Sequence, residues 1–103
     1  MTLHRRAARR DKNEPSIVKA LLADGLQVTR LSVPVDLLVW RSGQPTFVLL
    51  EVKTLGGGIT EAQIEFFQAS IGCPRYVVYE PAEAVVLVNT AIKRGGSCHT
   101  AAP

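Results

Sequence analysis

Asp36, Glu51 and Lys53 are the residues of this chain whose types and spacing could do chemistry. Glu51 and Lys53 interrupt the stretch TFVLLEVKT, residues 46–54, whose apolar side chains otherwise run like a strand buried on both faces. Burying an unpaired charge is costly, so a carboxylate and an ammonium inside such a strand need partners or a task. A second strand ahead of it, residues 35–41, carries Asp36. The two are separated by Ser42-Gly43-Gln44-Pro45, where Gly43 suits the first central position of a two-residue type II′ turn. That turn pairs residues whose numbers sum to 87: Trp40 with Phe47, Leu38 with Leu49, and Asp36 with Glu51. Directly opposed residues on one face have Cβ atoms about 4.5–5.5 Å apart, and Lys53 falls on the same face by alternation.

Two opposed carboxylates repel, and a divalent cation between them would remove the repulsion. Oxygen ligands select a hard ion, Mg²⁺ or Mn²⁺, over zinc. The competing reading is a salt-bridged cluster in which Lys53 satisfies one acid and leaves the other without a partner.

The elements that must position these residues follow from periodicity. Residues 1–12 read as a basic, flexible arm. Asn13 is expected to cap a first helix that tolerates Pro15 in its first turn, carries Ile17, Val18, Leu21 and Leu22 as an apolar stripe, and ends at Asp24-Gly25. Residues 26–31 alternate as an edge strand. After residues 46–53, Leu55-Gly56-Gly57-Gly58 reads as a flexible loop. Thr60 caps a second helix to about Ser70, with Gln63 as its capping-box partner and Ile59–Ile64 as a hydrophobic staple. Residues 75–79 form a short strand, Pro81 starts a last helix ending near Gly95, and residues 95–103 are a tail. The order α-β-β-β-α-β-α defines an α/β domain over residues 13–94 with a mixed sheet flanked by helices.

At 103 residues the chain is one small domain, too apolar for disorder. No apolar run approaches the roughly 18–20 residues that span a bilayer, and no apolar segment follows the N-terminal arginines, so neither a membrane span nor a secretory leader is expected. Cys73 and Cys98 lack metal-ligand spacing and read as free thiols in a reducing cytoplasm, against the alternative of a disulfide. Of twelve Lys and Arg, five lie in the first twelve residues: Arg5, Arg6, Arg9, Arg10 and Lys12. The other 91 residues carry seven basic and eight acidic side chains. The net charge of +3 therefore resides in the arm, which suits a phosphate backbone or serves as a solubilising tail.

Asp36 followed after fourteen residues by Glu51-Val52-Lys53 resembles the PD-(D/E)XK nuclease signature. RRDKNEPSIVKALLADG is similar to the leading helix of the small VRR-NUC and phage-type endonucleases of that superfamily, whose helix carries an acidic residue. GGGITEAQIEFFQAS resembles their following helix, which commonly carries a glutamine after a Thr or Ser cap. RYVVYEPAEAV resembles their closing strand and helix, and the likeness covers roughly residues 9–94. The family's Pro-Asp pair stands here as Pro34-Val35-Asp36, with one residue interposed.

The resemblance implies an αβββαβ(α) restriction-endonuclease-like core and a metal-dependent endonuclease acting on DNA. Asp36 and Glu51, with the Val52 carbonyl, would hold Mg²⁺ or Mn²⁺. Lys53 would orient or help deprotonate the attacking water and offset charge on the phosphate, leaving a 5′-phosphate and a 3′-hydroxyl. Glu14, aligned with Val18 and Leu21 on the inward stripe, would join the acidic set; otherwise it is a first-turn acid favoured by the helix dipole. Gln63 is either an active-site hydrogen-bonder or only a cap partner. The arm, with Lys93 and Arg94, would hold the DNA backbone.

The expected setting is the cytoplasm of a prokaryotic or phage-infected cell. So compact a nuclease has little surface for a duplex, which leaves room for a homodimer or a larger replication or recombination assembly. The alternatives are a non-catalytic nucleic-acid-binding or assembly subunit on the same fold, and a cation-stabilised structural domain.

Overall fold

The computed structural model describes residues 11–33 and 35–95. These form α1 (Glu14–Ala23), β1 (Gln27–Arg30), β2 (Leu37–Trp40), β3 (Phe47–Val52), α2 (Glu61–Ala69), β4 (Arg75–Val78) and α3 (Pro81–Lys93). The four strands make one sheet in the order β1-β2-β3-β4. The first three are antiparallel, and β4 runs parallel to β3 after the α2 crossover. This is the expected mixed α/β architecture in the expected order.

The β2–β3 register pairs Trp40 with Phe47 and Leu38 with Leu49, as the sum of 87 requires. The turn that sets it differs from the expected type II′. Gln44 donates its N–H to Arg41 O, and Gly43, at φ 83°, takes the second central position instead of the first. A two-residue turn between Ser42 and Pro45 would need a donor at Pro45, and proline has no N–H. The pairing therefore closes one residue earlier, over Arg41–Gln44, while the register survives.

Alternation divides the sheet into two unlike faces. Leu37, Val39, Val48, Leu50, Val52 and Val78 point to one side and are buried against Ile17 and Leu21 of α1 and Ala84, Val88 and Ala91 of α3. Each fully buried aliphatic side chain contributes about 1.5–3 kcal/mol, so this layer carries most of the stability. Val35 is wholly buried. The residue interposed before Asp36 is thus a core side chain.

Helix α1 ends in a Schellman arrangement: Gly25 N–H donates to Leu22 O, Leu26 N–H donates to Leu21 O, and Gly25 has φ 88°. Its other end departs from expectation. Asn13 makes no side-chain cap, and its amide is used elsewhere. Helix α2 does carry the predicted capping box, with Thr60 Oγ1 accepting from Gln63 N–H and Gln63 Oε1 accepting from Thr60 N–H. Ile59 and Ile64 stay substantially exposed, so the staple adds little. Gln63 is the one buried residue of α2 among those described. This helix covers only part of the second sheet face.

Candidate functional site

Glu51 lies near the end of β3, is 1 % exposed, and points to the face opposite the main core. Its Oε2 accepts a 2.6 Å hydrogen bond from Gln63 Nε2 and lies 3.4 Å from Lys53 Nζ. Gln63 thus makes the expected cap and also a hydrogen bond to Glu51. Its Oε1 and backbone N–H complete the α2 cap, while its Nε2 reaches across the crossover to the carboxylate. A glutamine can do this because it carries donors and an acceptor on one amide.

Lys53 follows β3 directly, and its backbone N–H donates to Val78 O. Its side chain is 13 % exposed, so the ammonium emerges from a mostly buried stem. The segment after it is a turn, with Gly57 N–H donating to Thr54 O and Gly56 at φ 89°. A Cβ at Gly57 would sit 3.1 Å from Thr54 O and 3.9 Å from Lys53 Cδ. Within the glycine loop, Gly57 lets the chain pass closely over Thr54 O.

Asp36 precedes β2, which starts at Leu37 and not at residue 35. Its carbonyl accepts from Leu31 N–H in register with β1, but its N–H donates to Leu50 O, the residue that Leu37 already faces. Asp36 thus falls one residue out of step with β3 and does not stand opposite Glu51 as the sum of 87 requires. The carboxylate is turned towards the next peptide of β3, where Oδ2 accepts from Val52 N–H at 2.8 Å. In the competing salt-bridged reading one acid lacks a partner, whereas here both acids have one. Glu51 has Gln63 and Lys53, and Asp36 has the Val52 amide. Val52, expected to lend its carbonyl, also supplies the N–H that fixes Asp36.

Glu14 is buried, as its place on the inward stripe requires, but its Oε2 is paired with Arg30 Nε at 3.2 Å. Arg30 pairs with Leu37 in the sheet, and Leu37 faces α1 and α3. The Arg30 contact therefore ties Glu14 to that side of the sheet. Its neighbour Asn13 supplies the link between α1 and the site. Asn13 Nδ2 donates to Lys53 O at 3.0 Å and to Tyr79 O at 2.7 Å, tying the helix start to the ends of β3 and β4. Neither the Arg30 nor the Asn13 contact has a local signal, because each partner lies far away in sequence.

Arg5, Arg6, Arg9 and Arg10 lie outside the described residues, as does Cys98; Lys12 is exposed. Cys73 is exposed. No helix among the described residues is long and apolar enough to cross a membrane.

The fit of a cation can be judged from the donor set. Among the described residues no group of three or more His, Cys, Asp and Glu is gathered to hold a metal. Asp36 Oδ2 accepts from the Val52 N–H that follows Glu51, so the candidate donors are two carboxylates. That suits Mg²⁺, which keeps several waters and is held by one or two carboxylates together with substrate phosphate. It does not suit zinc, whose structural and catalytic sites take three or four protein ligands. Compared with protein-family models, curated proteins and solved structures, the chain matches none of them.

Proposed function

We propose that this protein is a metal-dependent endonuclease of the PD-(D/E)XK type that hydrolyses DNA phosphodiester bonds. The observation that carries the reading is the grouping at the end of β3. A nearly wholly buried carboxylate, Glu51, is held by Gln63 and Lys53, and Asp36 is bonded to the intervening Val52 peptide. Asp36 and Glu51, with the Val52 carbonyl, would hold Mg²⁺ or Mn²⁺. When bound, such an ion lowers the pKa of a coordinated water and polarises the phosphoryl oxygen.

The chain's own groups account for the rest. Gln63 fixes the orientation of Glu51 through one oxygen. Asn13 and Val78 hold the Lys53 backbone at its carbonyl and its N–H, respectively. A backbone anchored on both sides aims the ammonium at a bound phosphate, where it offsets developing charge and orients the attacking water. The N-terminal arginines add sequence-independent attraction to the DNA backbone.

A second reading has an observation in its favour: both acids have partners within the protein, as a non-catalytic DNA-binding or assembly subunit would require. One assay separates the two. Linear, supercoiled, branched and single-stranded DNA are incubated with Mg²⁺, Mn²⁺ or EDTA, using wild type, Glu51→Gln and Lys53→Ala. Cleavage that needs metal and falls at least about 10²-fold in either variant supports the nuclease. Binding in EDTA with no cleavage in any metal supports the subunit.

A further inference from the structure

The sheet face that carries Glu51 also carries an aromatic pair. Alternation along β3 places Phe47 and Leu49 on the Glu51 face, and the register adds Trp40 opposite Phe47 and Leu38 opposite Leu49. Trp40 and Phe47 stack with ring centroids 5.5 Å apart and planes 29° from parallel. Phe47 is 51 % exposed and Trp40 half-buried, in contrast to the wholly buried positions on the opposite face. The shelf begins four residues from Glu51, about 13 Å along the strand.

Arg75 pairs with Leu49 across β3–β4 and lies between the aromatic shelf and the acidic group. Its guanidinium is fixed by Ser70 Oγ, the Phe67 carbonyl and the Phe67 ring, 5.3 Å from the centroid. Among the described residues it faces no carboxylate. One sheet face therefore presents, in order, an aromatic shelf, an arginine without an acidic partner, and the Lys53–Glu51 pair. The β1 residues beside the shelf are the polar Gln27 and Thr29. Alternating flat apolar groups and phosphates is the chemistry of an unpaired nucleic-acid strand.

Resting on the proposed nuclease reading, we infer that this face binds an unpaired DNA strand, its bases on Phe47 and Trp40 and its phosphates on Arg75 and Lys53. The substrate class is thereby DNA with a single-stranded segment beside the scissile bond. A stacked duplex cannot offer its base faces to the shelf.

Trp40 is the sole tryptophan of the chain, so its fluorescence reports this face alone. Wild-type protein in EDTA is titrated with an oligothymidine, with an abasic oligonucleotide of equal length, and with a blunt duplex. Quenching by the oligothymidine that the abasic strand does not produce is the expected result. Phe47→Leu should weaken oligothymidine binding by about 5- to 100-fold, with Phe47→Tyr retaining it and duplex affinity unchanged. Equal quenching by the abasic strand, or none by the oligothymidine, overturns the proposal. So does an emission change that follows protein concentration alone, which would make the face a contact between copies of the chain. Metal-dependent cleavage confined to duplex, without quenching, sinks this inference and leaves the nuclease reading standing. Base-dependent quenching with no cleavage of any DNA does the reverse.

Discussion

Gln63 and Glu51, twelve residues apart and on different elements, share a 2.6 Å hydrogen bond while Gln63 also closes the N-terminal cap of α2. The start of the crossover helix and the orientation of the buried carboxylate are consequently one structural unit.

Two substitutions separate these roles. Gln63→Ala removes the cap partner and the Glu51 donor together, and should cost about 1–3 kcal/mol in urea unfolding as well as DNA cleavage. Gln63→Glu preserves the capping box but sets a second carboxylate against Glu51. It should lose cleavage out of proportion to its stability. Wild-type turnover by Gln63→Glu would reduce Gln63 to a helix cap.

Asn13 holds the carbonyls of Lys53 and Tyr79 through Nδ2, and a carboxylamide is needed because only a donor can face two carbonyl oxygens. Asn13→Ala should lower stability by about 1–3 kcal/mol and slow cleavage by loosening the Lys53 backbone. Asn13→Asp should be worse than alanine, since its carboxylate would meet both carbonyls. Aspartate is a good helix cap, so a thermal melt showing it better than alanine would return Asn13 to the capping role.

Metal binding to the native state alone raises stability by RT ln(1 + [L]/Kd), about 2.7 kcal/mol at a hundredfold excess over Kd. The melting temperature of wild type should rise with Mg²⁺ or Mn²⁺. Asp36→Asn keeps an oxygen able to accept from Val52 N–H, so its metal-free form should melt no lower than wild type, with little gain on adding metal. A variant whose melting point climbs with Mg²⁺ as wild type's does would take Asp36 out of the metal set.

Deleting residues 2–10 should weaken duplex binding strongly while barely changing turnover at saturating DNA. Each arginine that neutralises a phosphate contributes about −0.9 to the slope of log K against log salt. Four such residues make a slope loss of roughly 3–4 the largest expected. An unchanged slope would identify the arm as a solubilising tail.

Asp24, at the C-cap of α1, accepts from Asn89 Nδ2 and Arg41 Nη2, each at 2.8 Å, joining that helix end to α3 and the end of β2. These two bonds hold its carboxyl below the ordinary value of 3.8. A depressed carboxyl stabilises the fold above its unfolded pKa, and that contribution disappears as pH falls through the folded value. Wild type should therefore be more stable than Asp24→Ala near neutrality, with the two curves converging as pH falls through the folded value. A gap that persists unchanged in acid would assign the effect to packing instead of charge.

Much of this architecture is determined by short-range pattern. The apolar stripe of Ile17 and Leu21, the Asp24-Gly25 terminus, the Thr60–Gln63 cap and the alternation that sets Trp40 against Phe47 are each stated within a few residues of chain. The α-β-β-β-α-β-α order and the mixed sheet follow from them. Glu51, Lys53 and Gln63 also converge where register and cap together place them. The partner of each buried polar group was settled only in three dimensions. Asp36 turns to the Val52 amide, Glu14 to Arg30, and Asn13 to the carbonyls of Lys53 and Tyr79, 40 and 66 residues away. Periodicity specifies which face a side chain takes, because alternation and the helical repeat are properties of the local backbone. It does not specify which donor waits there. A buried carboxylate or amide must be satisfied, but any of several groups brought near by packing can do it, and only the docking of α1 and α2 against the sheet selects among them.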